Sequence, residues 1–397
     1  MILNPHAHSS PQVLLRSRAD TAKVSNEELF FDLVYVFAVT QLSHFLLDNL
    51  SLLGALQALV MWFAVWLGWQ YTAWVTNWFN PGALSMRGVL FGIMLLALVM
   101  AAALPQAFEG RGMVFALCFV SIQVGRTVCM LLAVGRASPL TPNFRRILAW
   151  NCVAAVFWIA GGLADAPIRL GLWSIAIVCE YVSPMFGFVF PGLGRSSTTE
   201  WTIDGGHLAE RCQLFVIVAL GESILASGVA FGHHHAWHLP ELQSFLIGFA
   251  GSLAMWWMYF DTSSRDASHV IEHSDDPGRI GARFHYTHVI LIAGIIVSAV
   301  ADELVIGHGD HHAEWKYLGP LLAGPGIYLF GNALFKRVVY GVTPRSHIGG
   351  LIALALLVAI GPQLTVLWVG ALTTVIVVLV AIVESVARRH HQAVQAV

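Results

Sequence analysis

The chain of 397 residues is 57% hydrophobic and 11% charged, with a mean hydropathy of +0.70, where a soluble domain carries about 25% charged residues. It is not a water-soluble globular protein, and a formal net charge of -2 excludes the basic field that nucleic acid requires. Cys118, Cys129, Cys152, Cys179 and Cys212 fall in or beside apolar runs without a CxxC pair, which implies neither disulfides nor a thiolate metal site.

Residues 1–25 hold Arg16, Arg18, Asp20 and Lys23 with Pro5 and Pro11 but no apolar h-region, so they read as a cytoplasmic tail without a cleavable signal. A hydrocarbon layer about 30 Å thick takes roughly 20 apolar residues of helix. Runs of that length predict spans over 28–49, 52–78, 86–107, 113–134, 145–164, 168–190, 207–230, 241–262, 281–303, 317–339, 346–361 and 363–386. Gly361-Pro362 marks either a tight hairpin or a break within one longer segment. The expected fold is an all-α integral membrane protein of about 12 transmembrane helices, with a first six-helix half over 26–200, a second over 201–387 and a cytoplasmic tail over 388–397.

With both termini cytoplasmic, sixteen of the Lys and Arg fall in inner loops and tails. Only Arg111, Arg169 and Lys316 fall in outer loops, and only Arg126 and Arg211 within helices. That asymmetry supports the orientation and an even number of spans. The segment from Arg87 lies over that from Arg283 at an offset of 196, and the first and seventh spans share an order of acid, apolar block and polar patch (Thr40-Gln41 and Glu222-Ser223). Six plus six helices would be parallel repeats about an axis along the membrane normal, although apolar helices also align with one another by chance.

Each ionisable group in hydrocarbon costs about 2.5–3.5 kcal/mol on insertion scales, so each is a candidate site residue. Glu28, Asp32 and Tyr35 share one face of the first span. Glu28 is either an interfacial acid favoured by the helix dipole or part of a site, and Asp32 lies a turn deeper. Gln41, His44 and Asp48 fall on the opposite face toward the outer surface. Arg126, mid-span in the fourth helix, calls for a carboxylate, with Glu180 and Glu222 as the central choices. Arg211 and Glu222 share a face of the seventh span without touching, and Gly221 and Ser223 beside Glu222 favour close helix approach or a kink. Asp32, Glu180 and Glu222 outnumber Arg126 and Arg211 by one, an excess that carries a proton or faces a cation. The bland alternative is a set of ion pairs that fixes helix register.

His285 and His288 lie in the inner half of the ninth span, as protonation sites or as hydrogen-bonded packing residues. Outer loops hold His233, His235 and His238, and then His308, His311 and His312; these are either weak metal candidates or variable His-rich loops. The Trp-rich second span (Trp62, Trp66, Trp69, Trp74, Trp78) and the pair Trp256-Trp257 read as belt and packing residues, or as a stacking surface for an organic cation. Glu384 and Asp261 are expected at inner helix ends, facing water. The chain shows no P-loop, GxGxxG, HExxH or GxSxG, so no cofactor is implied and the common nucleotide and hydrolase mechanisms have no visible parts.

Two long motifs suggest a relationship. Residues 26–44, with Glu28-Leu-Phe-Phe-Asp32-Leu-Val-Tyr35 and Gln41-Leu-Ser-His44, and residues 207–224, with Glu210-Arg211-Cys-Gln-Leu-Phe-Val-Ile-Val-Ala-Leu-Gly221-Glu222-Ser223, resemble the bacterial low-temperature-requirement A (LtrA) family. That family's motifs read ELFFDLVFVFAVTQLSH and ERxGLFVIIALGES. Glu28, Asp32, Gln41, His44, Glu210, Arg211, Gly221, Glu222 and Ser223 carry over as they stand, while Cys212-Gln213 departs from the pattern. The resemblance implies a multi-pass protein of the bacterial plasma membrane and fixes no activity. The expected partners are the bilayer and an unidentified small solute or ion. The leading reading is a secondary transporter or proton-coupled permease in which Asp32, Glu180 and Glu222 carry protons or bind a cation while Arg126 and Arg211 exchange partners. Its rivals are an intramembrane enzyme acting on a lipid or isoprenoid, with Glu222 or Asp32 as general acid/base and His44 or His288 assisting, and a structural or stress-related membrane protein.

Overall fold

The structure, a computed structural model, describes residues 14–16, 23–197, 203–232, 238–264, 267, 270 and 276–395. Along these residues run twelve long helices: α1 (Asn26–Asp48), α2 (Leu52–Trp78), α3 (Leu84–Ala103), α4 (Gly112–Val134), α5 (Thr141–Leu163), α6 (Ala166–Met185), α7 (Gly205–Gly232), α8 (Leu239–Phe260), α9 (Pro277–His308), α10 (Trp315–Tyr340), α11 (Arg345–Ile360) and α12 (Val366–Gln395). Eleven are long and apolar enough to cross a membrane. The other is α8, whose 22 residues include Gln243, Ser244, Trp256, Trp257 and Tyr259, side chains that lower its mean hydropathy. The chain is an all-helical, multi-pass membrane protein.

Every expected span has its helix, and the ends that move do so for local reasons. α6 stops at Met185 rather than at 190 because the chain turns back at Gly187 and Phe188, with φ of 64° and 50°. A Cβ on Gly187 would lie 2.3 Å from the Ser196 carbonyl, so only glycine fits this turn. Gly361-Pro362 proves to be a hairpin, a 3₁₀ turn over Gly361–Gln363 between α11 and α12. α10 ends on Gly341 in the left-handed region, whose N–H donates to the Arg337 carbonyl. α4 is interrupted by a π-helical turn over Ser121–Gly125, a distortion that re-aims the side chains after it.

The described chain clusters into two compact units. One gathers residues up to Gln41 with 57–211 and 276–278, and the other gathers 42–56, 212–275 and 279–397. The first has an aromatic core in which Trp66, Trp69, Trp158 and Trp173 are fully buried; the tryptophans of α2 thus pack inward, whereas Trp256 and Trp257 of α8 are exposed. In the second unit α9 is the most enclosed span, with 72% of its apolar window buried. Gly294, Gly324 and Gly331 let α9 and α10 meet backbone to backbone, because Cβ atoms there would come within 2.4 Å of Tyr328 N, 2.7 Å of Ser298 N and 2.8 Å of Leu291 N.

Two basic residues assigned to loops lie elsewhere. Arg169 sits in the first turn of α6, buried, and donates to the carbonyls of Ala107 (2.6 Å), Ala164 (2.9 Å), Glu109 (3.0 Å) and Gly161 (3.1 Å). It thereby adds donors to carbonyls at the end of α5 and in the turn after α3. Lys336 lies inside α10, buried, and donates to Glu384 Oε2 of α12 at 2.5 Å. Glu384, part-buried, is thus paired and not freely solvated: it also accepts a hydrogen bond from Ser346 of α11.

Candidate functional site

The first unit holds a buried ion-pair hub between α1 and the start of α7. Arg211, fully buried, grips Asp32 with two donors, Nη2 to Oδ1 at 2.5 Å and Nε to Oδ2 at 3.1 Å. Its Nη1 donates to Glu28 Oε1 at 3.0 Å and to Thr76 Oγ1 at 3.1 Å. The planar fork of a guanidinium suits this two-carboxylate cradle, and a lysine would not reproduce it. Glu28 also accepts from Arg16 Nη2 at 2.8 Å and from the Ser25 amide at 2.9 Å. Glu28 is thus a buried hub residue that also lies in the first turn of α1, beside the positive end of its helix dipole.

His207 and Trp69 complete the shell. Asn77 Nδ2 lies 3.1 Å from His207 Nδ1 and donates to the Asp204 carbonyl at 2.9 Å. Nδ1 then accepts, so Nε2 carries the proton and donates to Glu28 Oε1 at 2.9 Å. Trp69 Nε1 donates to Asp32 Oδ1 at 2.6 Å, and the Arg211 guanidinium lies over the Trp69 ring at 5.7 Å and the Phe31 ring at 5.8 Å. Two carboxylates face two guanidiniums here, a balanced set.

One turn further along the same face of α1, the buried Tyr35 hydroxyl has no hydrogen-bond partner among the described residues. It sits under Gly68, where a Cβ would lie 2.7 Å from Tyr35 Oη, and within electrostatic reach of both Asp32 and Arg126. Arg126, carried on α4 just past the π turn, donates to Gln123 Oε1 at 2.5 Å, Thr72 Oγ1 at 3.1 Å and the Gly68 carbonyl at 3.4 Å. Among the described residues no carboxylate oxygen comes within 4.0 Å of it. The expected direct Arg126–carboxylate pair is replaced by a relay: Gln123 Nε2 donates onward to Glu180 Oε1 at 3.3 Å, and Trp158 Nε1 to Glu180 Oε2 at 3.1 Å. The relay is local to α4: Gln123 and Arg126 stand three residues apart beside the π turn, and Asn151 Nδ2 holds the Gln123 carbonyl at 3.1 Å.

The remaining predicted residues separate. Glu210 is exposed on α7, Gln41 is part-buried and His44 exposed. In the second unit, Glu222 is buried, and among the described residues no basic side chain lies within 4.0 Å of it. Its neighbour Gly221 has open space where a Cβ would go, whereas Ser223 on its other side is fully buried. Ser223 Oγ lies 3.3 Å from Ser252 Oγ and donates to Asp302 Oδ2 at 3.4 Å. Glu303, next to Asp302, is within electrostatic reach of His44, Glu222 and Asp48. His288 is buried and bonded at both ring nitrogens: Nδ1 donates to the Phe284 carbonyl and Nε2 accepts from Tyr259, both at 2.7 Å.

Of the metal candidates, His233 and His235 lie outside the described residues and His238 is exposed. His308 and His311 meet ring to ring at 5.3 Å. Among the described residues no three His, Cys, Asp or Glu are placed to hold a metal ion.

The sequence reading missed Arg16, Gln123, His207 and Asp302, weighed Trp69 as a packing or stacking residue, placed Lys336 in an inner loop and expected Glu384 to face water. His207 had a signal, since it precedes Arg211 by four residues, one helical turn, and so shares its face. Gln123 had one in its place three residues before Arg126.

Comparison with known proteins agrees with the motifs. The family model described as bacterial low temperature requirement A protein (LtrA) matches residues 23–382. An uncharacterized protein of Rhizobium meliloti (strain 1021) is 37% identical over 380 residues, covering 95% of this chain and 92% of that protein. No solved structure matches the chain.

Proposed function

The chain belongs to the bacterial low temperature requirement A family, and from that premise we propose that it is a secondary transporter or proton-coupled permease of the bacterial cytoplasmic membrane with both termini cytoplasmic. On this reading the halves 26–200 and 201–387 are parallel repeats, and the substrate is a small solute or ion. The observation that carries the reading is the polar run of the first unit. It passes from Glu28 and Asp32 through the unpartnered Tyr35 hydroxyl to Arg126, Gln123 and Glu180. A bundle that needed only register would have no use for a guanidinium held one amide away from its carboxylate. Rotation of Gln123 would let Arg126 and Glu180 meet, and protonation of Glu180 would release them. A carrier cycle requires two such arrangements.

The test is proton flux into liposomes holding the purified chain under imposed pH gradients, comparing the parent with Glu180→Gln. Flux in the parent and its loss in a folded Glu180→Gln variant supports the reading, whereas equal flux in both removes Glu180 from the path. A structural role has its own support, the charge balance of the Arg211 hub. Absence of flux in the parent across gradients and common cations would favour that role.

A further inference from the structure

We propose that the second unit builds a binding site for a small monovalent cation, Na⁺, centred on Asp302. A cavity of about 30 Å³ lies among α8, α9, α10 and α12, lined by Asp302, Ser298, Leu321, Pro325, Thr373 and Thr374 among others. A space of that size holds one water-sized occupant, far less than the roughly 300–1,000 Å³ of an organic ligand's pocket.

Its donors are all oxygens. The part-buried Asp302 carboxylate has Ser223 Oγ at 3.4 Å, and among the described residues no basic side chain comes within 4.0 Å of it. The Ser298 hydroxyl, on the same face of α9 one turn earlier, is buried and has no hydrogen-bond partner among the described residues. Pro325 lies inside α10 and has no N–H to return to the Leu321 carbonyl, so that oxygen loses its helical partner beside the cavity. Thr373 and Thr374 donate their hydroxyl protons to the Gly370 and Ile247 carbonyls, at 2.9 and 3.4 Å, which leaves lone pairs free.

An acid, three hydroxyls and a released carbonyl form the oxygen set that hard cations take, and helices broken at membrane depth supply such carbonyls in carriers. A single carboxylate matches one positive charge, where a divalent ion draws on several. Gly248 leaves room for the acid, because a Cβ there would lie 3.0 Å from the Asp302 carboxyl carbon. The proposal does not rest on the transport reading, since binding is measured on the protein at rest.

The experiment is thermal unfolding of the purified full chain in detergent, in NaCl, KCl and choline chloride at one ionic strength, paired with equilibrium ²²Na⁺ binding. A ligand bound only by the folded state raises the midpoint with its concentration. The midpoint should climb with NaCl alone, the climb and the ²²Na⁺ binding should vanish in Asp302→Asn, and Ser298→Ala should weaken apparent affinity about tenfold, the loss of one charge-assisted contact. Equal midpoints in the three salts, a preference for K⁺, or undiminished ²²Na⁺ binding in Asp302→Asn would each overturn the proposal. Should Asp302→Asn fail to fold, Ser298→Ala and Thr373→Val carry the test, and full Na⁺ affinity in both overturns it.

Discussion

Arg211 divides one guanidinium between two carboxylates with no water needed at any of the four contacts, so shape and charge can be tested apart. Arg211→Leu strands Glu28 and Asp32 and is expected to cost about 3–5 kcal/mol, the penalty for breaking a buried pair. Arg211/Asp32→Leu/Leu should recover part of that loss, which denaturant titration in mild detergent would measure. Gly68→Ala drives a methyl to 2.7 Å from Tyr35 Oη and should destabilise by about 1–3 kcal/mol through overpacking. Adding Tyr35→Phe removes the obstructing oxygen and should restore most of the loss, read as the difference between the two unfolding midpoints. The shared face of Glu28, Asp32 and Tyr35 was legible from spacing alone. Their partners were not, because periodicity orders residues along one helix and is silent about which distant helix answers it. Asp302 escaped notice for a related reason: it stands at the polar end of a long apolar run, where an acid reads as a boundary.

Helices α9 and α10 depend on glycine as most of the other pairs do not. Gly294→Ala and Gly331→Ala each set a Cβ inside 3 Å of opposing backbone, which cannot give way as a side-chain tip does. Both should lower the unfolding midpoint and the folded yield, while Gly319→Ala and Gly88→Ala, with open space at the Cβ, should leave both unchanged or slightly raised. Scanning calorimetry of the four variants checks the contrast. The existence of the helices was plain in the sequence, since about 20 apolar residues have no other use in a membrane. The π turn of α4 was not, because Ser121–Gly125 carries no proline and Gly125 alone does not mark a π turn, as Gly221 within the continuous α7 shows.

At the scale of the molecule, the outward-facing Leu and Phe, among them Phe91, Leu95, Leu132, Leu163 and Leu356, meet lipid, as the composition required. The orientation proposed above predicts that, in a cysteine-free background, Glu109→Cys reacts with an impermeant maleimide in intact cells and Ala137→Cys reacts only after lysis. The reverse pattern would invert the molecule. Part of the fold stayed illegible because its decisive contacts join residues far apart in the chain. The separation between Glu28 and Arg211 is 183 residues, and it has a consequence for biogenesis. Chains grow at about 5–20 residues per second, so α1 enters the membrane roughly 10–40 s before the Arg211 guanidinium that grips Asp32 has been made. During that interval the segment is a poor resident of the bilayer, and in a nascent chain truncated before α7 a cysteine placed in α1 should stay open to an aqueous maleimide, whereas in one extended through Gly232 it should be protected.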